Sequence, residues 1–189
     1  MNLEDGKSLV KLARSCLFSN NFTIPKITEK RGVFVTINTV DGNLRGCIGF
    51  IETDLPLNQS IIKAAKYAAF SDPRFNKVNE KEVDELLFEI SILTKPKLLK
   101  VKSYKEYLKK IKIGRDCLIV EAENYKGLLL PQVASENKFS VQEFLNQTCI
   151  KASLLPETWQ QKECKIYSFQ TQIFKEIEPN GKIIEEKCS

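Results

Sequence analysis

Two β-rich segments separated by a short turn constrain the fold of this chain more than any other feature. Residues 32–38 read Gly-Val-Phe-Val-Thr-Ile-Asn, and residues 44–51 read Leu-Arg-Gly-Cys-Ile-Gly-Phe-Ile. Asp41-Gly42 lies between them, and this dipeptide between two β-rich runs is a strong signal for a tight turn. The sequence therefore predicts an antiparallel hairpin that carries the hexapeptide 44–49 on its second strand.

Hydrophobic periodicity predicts the remaining elements. The predicted helices are 5–19, a segment from Pro56 to about Phe70, a short basic helix over 103–110, and an amphipathic helix over 140–153. The predicted strands are 86–93, 116–121, 125–130 and a long strand over 164–177. Residues 131–136 are predicted as a loop that leads into helix 140–153, and the polar tail from Pro179 is predicted to fray.

This order of elements predicts the fold class. A hairpin followed by a helix and further strands is typical of an α+β fold with a mostly antiparallel sheet and packed helices. A doubly wound nucleotide fold is disfavoured by the same order. The 189 residues suit one large domain. We therefore expect a single main domain over 1–189 with a smaller subdomain grafted on it.

Histidine is absent, and this limits the chemistry. Ser-His-Asp and Cys-His catalysis are excluded, as is every metal centre that needs imidazole. Acid–base work must fall to Asp, Glu, Lys, Tyr or Cys. No two of the cysteines have C-x-x-C spacing, so we expect neither a metal site nor a cofactor. The six cysteines are Cys16, Cys47, Cys117, Cys149, Cys164 and Cys188.

Location and partner class follow from composition. No stretch approaches the roughly 18 apolar residues of a membrane span. The first six residues have neither the basic nor the apolar region of a signal peptide. We therefore expect a soluble, cytoplasmic protein with free thiols and no membrane partner. The net charge is only +5, and the sequence lacks an aromatic–basic recognition motif, so nucleic acid is disfavoured as a partner.

Five motifs occur in a fixed order along the chain. They are Gly32-Val-Phe-Val-Thr, the hexapeptide 44–49, Asp72-Pro73-Arg74-Phe75, Leu130-Pro131-Gln132-Val133-Ala134 with Glu136, and Cys149-x-Lys151 before Trp159. In this order they resemble the AMMECR-one domain family, which takes its name from the contiguous-gene syndrome of Alport nephropathy, midface hypoplasia and elliptocytosis. The match covers about residues 5–178 and identifies the chain as a stand-alone member of prokaryotic type.

The resemblance implies a two-part α+β fold with a cleft near the hexapeptide. It implies an enzyme or a regulatory protein without naming a reaction, and association with Memo-like or radical SAM proteins as pathway partners. Two positions depart from the family pattern: Phe139 stands where tryptophan is frequent, and Ser153 stands where glycine usually follows Lys-Ala. Both flank helix 140–153, so a role carried over to Cys149 or Lys151 is less well supported.

The hexapeptide is the main candidate site. Alternation along a strand would place Arg45 and Cys47 on one face, with Gly46 and Gly49 clearing space for a close approach. A guanidinium beside a thiol favours the nucleophilic thiolate. One hypothesis is therefore a catalytic or sensing Cys47, with Arg45 holding the carboxylate or phosphate of a small ligand.

A purely structural reading competes with that hypothesis. Cysteine is often buried as a small apolar residue, and the two glycines would also let a helix pack on the strand. Arg45 could pair with Asp72 or Glu89 as a structural ion pair. Without histidine to activate it, Cys47 is a weaker candidate for a nucleophile than for part of a binding site.

Other motifs supply further candidates for ligand binding. Asp72 and Arg74 lie in a turn after a helix, where Arg74 would add a second positive charge to the cleft or simply pair with Asp72. Gln132 and Glu136 would line the cleft by hydrogen bonding or serve only as loop residues. Glu89 and Ser91 would form an acid–base pair or, as the pattern favours, a solvated strand face.

Two functions from different classes fit these residues. The first is a binding cleft for a small or anionic molecule at residues 44–49, with or without enzymatic action. The second is a non-catalytic adaptor that binds a protein partner through the same surface. A pocket around Cys47 would favour the first, and a flat exposed patch would favour the second.

Overall fold

Two compact units make up the chain, and a computed structural model describes residues 1–186. The first unit comprises residues 1–93 and 172–186, and the second comprises residues 94–171. Each unit has its own antiparallel sheet and its own apolar core. The predicted α+β class with mostly antiparallel sheet is confirmed. The number of domains in the sense of independent folding stays a prediction.

The first unit is a five-stranded sheet with two helices. Its helices are α1 (Leu3–Ser15) and α2 (Leu57–Phe70). Its strands are β1 (Val33–Thr39), β2 (Leu44–Phe50), β3 (Leu86–Leu93), β8 (Thr171–Glu176) and β9 (Ile183–Glu186), in the spatial order β2-β1-β3-β8-β9. A 3-10 helix over Glu80–Glu85 precedes β3.

The predicted hairpin forms as expected from its turn residues. Strands β1 and β2 pair antiparallel, and Gly42 has a φ of 82°, a left-handed conformation that glycine adopts without strain. The turn closes with hydrogen bonds from the Gly42 N–H to the Thr39 carbonyl and from the Thr39 N–H to the Asn43 carbonyl, both 2.9 Å. The turn therefore sets the pairing of the two strands that carry the candidate site.

Alternation along β1 separates two faces of this sheet. Val33, Val35 and Ile37 are fully buried in the core that α1 and α2 complete. Phe34 and Thr36 point to the opposite face and are only half-buried. Since both helices of this unit pack on the first face, the second face carries no helix of the unit, and we call it the helix-free face.

The second unit is a four-stranded sheet with three helices. Its strands are β4 (Lys97–Leu98), β5 (Cys117–Ala122), β6 (Tyr125–Leu129) and β7 (Lys165–Phe169), in the spatial order β4-β7-β5-β6. Its helices are α3 (Tyr107–Lys110), α4 (Pro131–Glu136) and α5 (Val141–Lys151), with 3-10 turns over Tyr104–Glu106 and Pro156–Gln160. Trp159 is buried in the core and donates a 2.7 Å hydrogen bond from Nε1 to Asn146.

Two of the predicted elements are wrong. The single strand over 164–177 is in fact β7 and β8, which belong to different sheets, with Gln170 between them. The Gln170 N–H donates to the Thr94 hydroxyl, and the Gln170 carbonyl accepts from the Thr94 N–H. Gln170 thus separates the two strands. Residues 131–136 form α4 rather than a loop. Pro131 is compatible with this helix because it lies in the first turn, where a backbone N–H has no partner within the helix.

The polar tail is ordered further than predicted. Residues 183–186 form β9 and pair antiparallel with β8, so the prediction of fraying from Pro179 is wrong for this segment. Residues 187–189, which include Cys188, lie outside the described residues. Among the described cysteines, Cys16, Cys47, Cys149 and Cys164 are free thiols. Within residues 1–186, no helix combines the length and apolar character needed to cross a membrane.

Helix α5 ends in a left-handed residue that is not glycine. Ser153 has a φ of 59°. Its N–H donates to the Ile150 carbonyl, and the N–H of Leu154 donates to the Cys149 carbonyl, which is the Schellman arrangement. This position usually favours glycine, because a Cβ strains the left-handed backbone.

Ser153→Gly should therefore raise the free energy of unfolding by about 1 kcal/mol, measured by urea denaturation. Gln147→Gly, at an exposed position inside the same helix, is the control and should lower it by about 1 kcal/mol. An unchanged or lower stability for Ser153→Gly would show that the serine is not strained there.

Candidate functional site

The hexapeptide lies on β2, an edge strand of the first sheet. Gly46 lies opposite Ile37 on β1. The next residue of β1, Asn38, lies opposite Leu44, so Arg45 is an extra residue in a β-bulge. A bulge breaks the alternation of side chains, so the regular alternation predicted for this strand is interrupted at Arg45.

At the bulge, the Arg45 side chain forms a structural ion pair with Glu82. Its Nε and Nη2 donate to the two carboxylate oxygens of Glu82 at 3.2 and 2.9 Å. Nη1 donates to the Asn76 carbonyl at 2.7 Å, and Nη2 also reaches the Lys77 carbonyl at 3.3 Å. The prediction that Arg45 projects beside Cys47 is wrong, and its partner is neither Asp72 nor Glu89.

Glu82 is held by more than Arg45. Its carboxylate also accepts from the Asn79 backbone N–H at 2.8 Å, which completes a capping box on the 3-10 helix. Burial favours the neutral acid, but the hydrogen bonds from Arg45 and Asn79 outweigh it and lower the pKa of Glu82. Arg45 therefore anchors β2 to the segment before β3, with its charge neutralised.

Protein atoms make the close approaches at both glycines. A Cβ on Gly46 would lie 2.2 Å from the carbonyl oxygen of Ala68 in α2. A Cβ on Gly49 would lie 2.4 Å from the ring of Phe34, which crosses from β1 on the helix-free face. Packing therefore requires both glycines, and the ligand contact predicted for them stays a prediction.

Asp72 and Arg74 close the outer edge of β2, and we call this pair the edge clamp. The Asp72 carboxylate accepts from the Cys47 backbone N–H at 2.9 Å. Arg74 Nη2 donates to the Cys47 carbonyl at 3.2 Å. The clamp thus takes the place of a neighbouring strand at Cys47, where an edge strand would otherwise expose unpaired backbone groups.

The clamp is itself a bidentate ion pair. Arg74 Nε and Nη2 donate to the two carboxylate oxygens of Asp72 at 2.9 and 2.7 Å. The Asp72 side chain is only 1% exposed, whereas that of Arg74 is 54% exposed. Hydrogen bonds from Arg74, opposed by burial and aided by the backbone of Cys47, hold the pKa of Asp72 well below its usual range.

A row of three polar side chains crosses the helix-free face, and we call it the polar row. Thr36 of β1 lies opposite Cys47 of β2 on one side and opposite Glu89 of β3 on the other. Thr36 Oγ1 and Cys47 Sγ are hydrogen-bonded at 3.2 Å. All three side chains are half-buried, and they bring together a thiol, a hydroxyl and a carboxyl group.

The thiol of the polar row favours its neutral form. Burial raises the pKa of Cys47, and the hydrogen bond from Thr36 and the charge of Arg74 offset this only in part. The carboxylates of Glu89 and Asp72 raise it further. The nearby cation is thus Arg74 of the edge clamp, and the thiolate that the nucleophile hypothesis needs is disfavoured.

Glu89 also favours its neutral form. Burial raises the pKa of this carboxyl group, and the charge of Glu186 on β9 raises it further. The opposing effects of Lys175 and a hydrogen bond with Ser91 are smaller. The prediction of a solvated face is wrong here, since Ser91 is buried and Glu89 is half-buried. Thr36 ends the first of the five sequence motifs and Glu89 is a candidate from strand alternation, but the pairing of three strands is what brings both together with Cys47.

The remaining predicted residues belong to the second unit. Gln132 and Glu136 lie on α4. Glu136 is exposed. Gln132 Oε1 is buried and, among the described residues, makes no hydrogen bond. The same unit buries Cys149 completely and leaves Lys151 exposed, and roles for Gln132 and Glu136 at a ligand stay predictions. Residues 1–186 contain no cluster of three or more acidic or cysteine side chains that could hold a metal ion.

Comparison with known proteins identifies the family. A profile of the AMMECR1 family matches residues 9–174. The chain belongs to the AMMECR1 family. The resemblance carried by the five sequence motifs is thereby confirmed. The family name describes a domain and not a reaction, so the function has to be inferred from the geometry of the site.

Archaeal members of the AMMECR1 family match the chain over nearly its full length. The chain is 47% identical to a protein of Methanococcus aeolicus, over 99% of this chain and 98% of that one. It is also 47% identical to Protein MJ0810 of Methanocaldococcus jannaschii, over the same shares. The crystal structure of the uncharacterized protein PH0010 from Pyrococcus horikoshii matches with a TM-score of 0.89 and 42% identity, over 98% of each chain.

The environment of Cys47 sets its reactivity. Because burial raises its pKa, we expect its alkylation by iodoacetamide in the native protein to keep accelerating above about pH 8.5, the value for an exposed thiol. Cys149, which is fully buried, serves as the internal control and should react more slowly at every pH. Peptide mapping by mass spectrometry measures both rates. A Cys47 rate that reaches its plateau below pH 7 would mean a stabilised thiolate.

The environment of Glu89 makes stability depend on pH. Its folded pKa is raised, so its contribution to stability is fully present below the unfolded pKa of about 4.3 and is lost as the pH rises through the folded pKa. Glu89→Gln keeps a neutral side chain at every pH. We expect this variant to gain stability relative to the wild type as the pH rises above about 4.3, measured by thermal unfolding.

Glu163→Gln is the matched control for that experiment, because Glu163 is an exposed glutamate of the second unit. Its unfolding profile should run parallel to that of the wild type. A Glu89→Gln profile that also runs parallel would mean that Glu89 ionises normally in the folded protein.

Proposed function

We propose that the polar row and the edge clamp form a binding site for a small molecule that carries a carboxylate or phosphate group. The observation that supports this most is the polar row itself. Three side chains with hydrogen-bonding capacity, Cys47, Thr36 and Glu89, lie half-buried on a sheet face without a helix of their unit. Polar groups withdrawn from water are unfavourable unless they are hydrogen-bonded.

The protonation states decide what the polar row offers a ligand. Because the pKa values of Cys47 and Glu89 are both raised, each keeps its proton to a higher pH than the same group does in water. Each of these groups can donate a hydrogen bond as well as accept one. A ligand with oxygen atoms would therefore find several donors on one face. Perturbed titratable groups that converge in this way are typical of functional sites.

Arg74 is the residue proposed to hold the anionic group. Its side chain is 54% exposed, and its Nε and Nη2 are fixed by Asp72. Among the described residues, Nη1 has no hydrogen-bond partner and remains free to donate. A guanidinium that is already oriented loses little conformational entropy when it binds an anion. This role passes to Arg74 from Arg45, whose three nitrogens all contact protein acceptors.

The site favours binding over nucleophilic catalysis. A raised thiol pKa leaves little thiolate near neutral pH, and the chain has no histidine to remove the proton. A neutral Glu89 could deliver a proton to a bound ligand, which is the one step of acid catalysis that the polar row could support.

An adaptor role is the second candidate. Two apolar side chains of the hairpin, Val40 and Leu44, are 56% and 38% exposed and would contact a protein partner at the edge of the sheet. A Memo-like or radical SAM protein remains the proposed partner on the basis of family association. For location, we propose the cytoplasm, because Cys16, Cys47, Cys149 and Cys164 are free thiols, as is usual in a reducing compartment.

Protection of Cys47 by an anion tests the binding site. Inorganic phosphate should slow the alkylation of Cys47 by the uncharged reagent iodoacetamide, because phosphate held by Arg74 would cover the thiol. Arg74→Ala should abolish this protection. Arg115→Ala is the matched control, since Arg115 pairs with Asp116 in the same bidentate way and is 44% exposed.

A second variant separates binding from stability. Arg74→Ala leaves the buried Asp72 carboxylate without its partner, which can destabilise a protein by about 3–5 kcal/mol. Asp72→Asn with Arg74→Ala removes both charges together and should also lose protection. Two results would reject the proposed site and leave the adaptor role. One is protection of Cys47 that survives in both variants. The other is a wild type in which neither phosphate nor citrate protects Cys47.

A further inference from the structure

The second unit carries the positive charge of the whole protein. Residues 94–171 contain 14 lysines and arginines against 8 acidic residues, a net charge of +6. The rest of the chain has 15 basic and 16 acidic residues, a net charge of −1. Eight of the lysines fall within residues 95–112, where Glu106 is the single acidic residue. The charge is therefore concentrated in the second unit rather than diffuse.

Part of this charge surrounds a cavity of about 460 Å³ in the second unit. Four of the residues that line it are lysines, and none is acidic. They are Lys100, Lys102, Lys162 and Lys165. The volume falls within the range of roughly 300–1,000 Å³ that is usual for small-molecule sites. We call this cavity the lysine pocket.

Most of these lysines lack a carboxylate partner. Lys165 lies 4.0 Å from Glu121, at the outer limit of an ion pair. Lys100, Lys102 and Lys162 form no ion pair within the described part of the chain, whereas the neighbouring Lys110 pairs with Glu106 at 3.7 Å. Like charges that converge on one cavity repel one another, and an anion bound there would relieve that repulsion.

Aromatic rings form the base of the lysine pocket. The ring of Tyr104 lies 5.9 Å from that of Trp159 at an interplanar angle of 72°, and the ring of Tyr107 lies 6.5 Å from it at 73°. Trp159 is buried and fixed by Asn146. Tyr104 remains 40% exposed, so a rigidly supported aromatic side chain is available to a ligand.

We propose that the lysine pocket binds a small ligand with a planar aromatic ring and phosphate groups, which is the chemistry of a free nucleotide. The ring would contact Tyr104 and the exposed side chain of Leu98. The phosphates would be held by Lys100, Lys102 and Lys162. Unpaired ammonium groups bind phosphate as point charges, and an aromatic side chain can stack on the flat face of a base. This site is separate from the polar row and does not depend on the function proposed for it.

Trp159 is the only tryptophan and lies in the lysine pocket, so its fluorescence reports binding directly. ATP, titrated into the full chain at low salt, should change this emission in a saturable way. Lys100→Ala with Lys102→Ala should weaken binding by about tenfold or more, as expected for two lost charge-assisted contacts. Lys109→Ala with Lys112→Ala makes the same change in net charge at exposed lysines outside the pocket and should leave the affinity within about twofold.

Two further ligands test the chemistry of the site. Inorganic tripolyphosphate should bind the wild type more weakly than ATP does. Its affinity for Tyr104→Leu should equal its affinity for the wild type, since it has no ring to place on Tyr104. Equal losses in the two lysine double variants would overturn the proposal, because the attraction would then be non-specific. Binding of a single-stranded deoxythymidine decamer without any binding of ATP would also overturn it, in favour of a nucleic-acid surface.

Discussion

The close approach of α2 to β2 at Gly46 is the constraint on which the candidate site depends. A side chain there would meet the carbonyl oxygen of Ala68 at 2.2 Å, so only glycine allows this separation of helix and strand. Backbone atoms cannot yield as a flexible side chain can. With β2 fixed on its helix side at Gly46, the adjacent Cys47 is directed to the helix-free face, where Thr36 and Glu89 meet it.

Two arginine–carboxylate pairs then hold β2 as an edge strand. Arg45 leaves the ladder at a bulge and fastens the strand to Glu82, while Arg74 and Asp72 occupy the outward backbone groups of Cys47. Both pairs are bidentate, which adds directional specificity to the charge attraction. They also neutralise the arginines, so the site offers hydrogen bonds and one partly free guanidinium instead of a strong positive field. The same arrangement keeps an edge strand from pairing with another chain.

The two units divide the chemistry between them. The residues outside the second unit have a net charge of −1. The first unit collects neutral or neutralised polar groups around a half-buried thiol. The second unit has a net charge of +6 and places unpaired lysines around a pocket lined by aromatic side chains. Strong anion attraction therefore belongs to the second unit, whereas the polar row of the first depends on short-range hydrogen bonding. This division is visible only when charges are counted by unit, because the total of +5 conceals it.

Local patterns in the sequence determined the hairpin, the positions of both helices of the first unit, the strand β3, the α+β class and the family. These features follow from turn chemistry, periodicity and motifs that act over a few residues. The tertiary structure alone decided that Arg45 lies in a bulge and pairs with Glu82, 37 positions away, and that Glu89 joins Cys47 across three strands. It also decided that residues 164–177 divide between two sheets. A bulge, an ion pair and a sheet boundary all depend on which distant segments meet, and that information is absent from local periodicity.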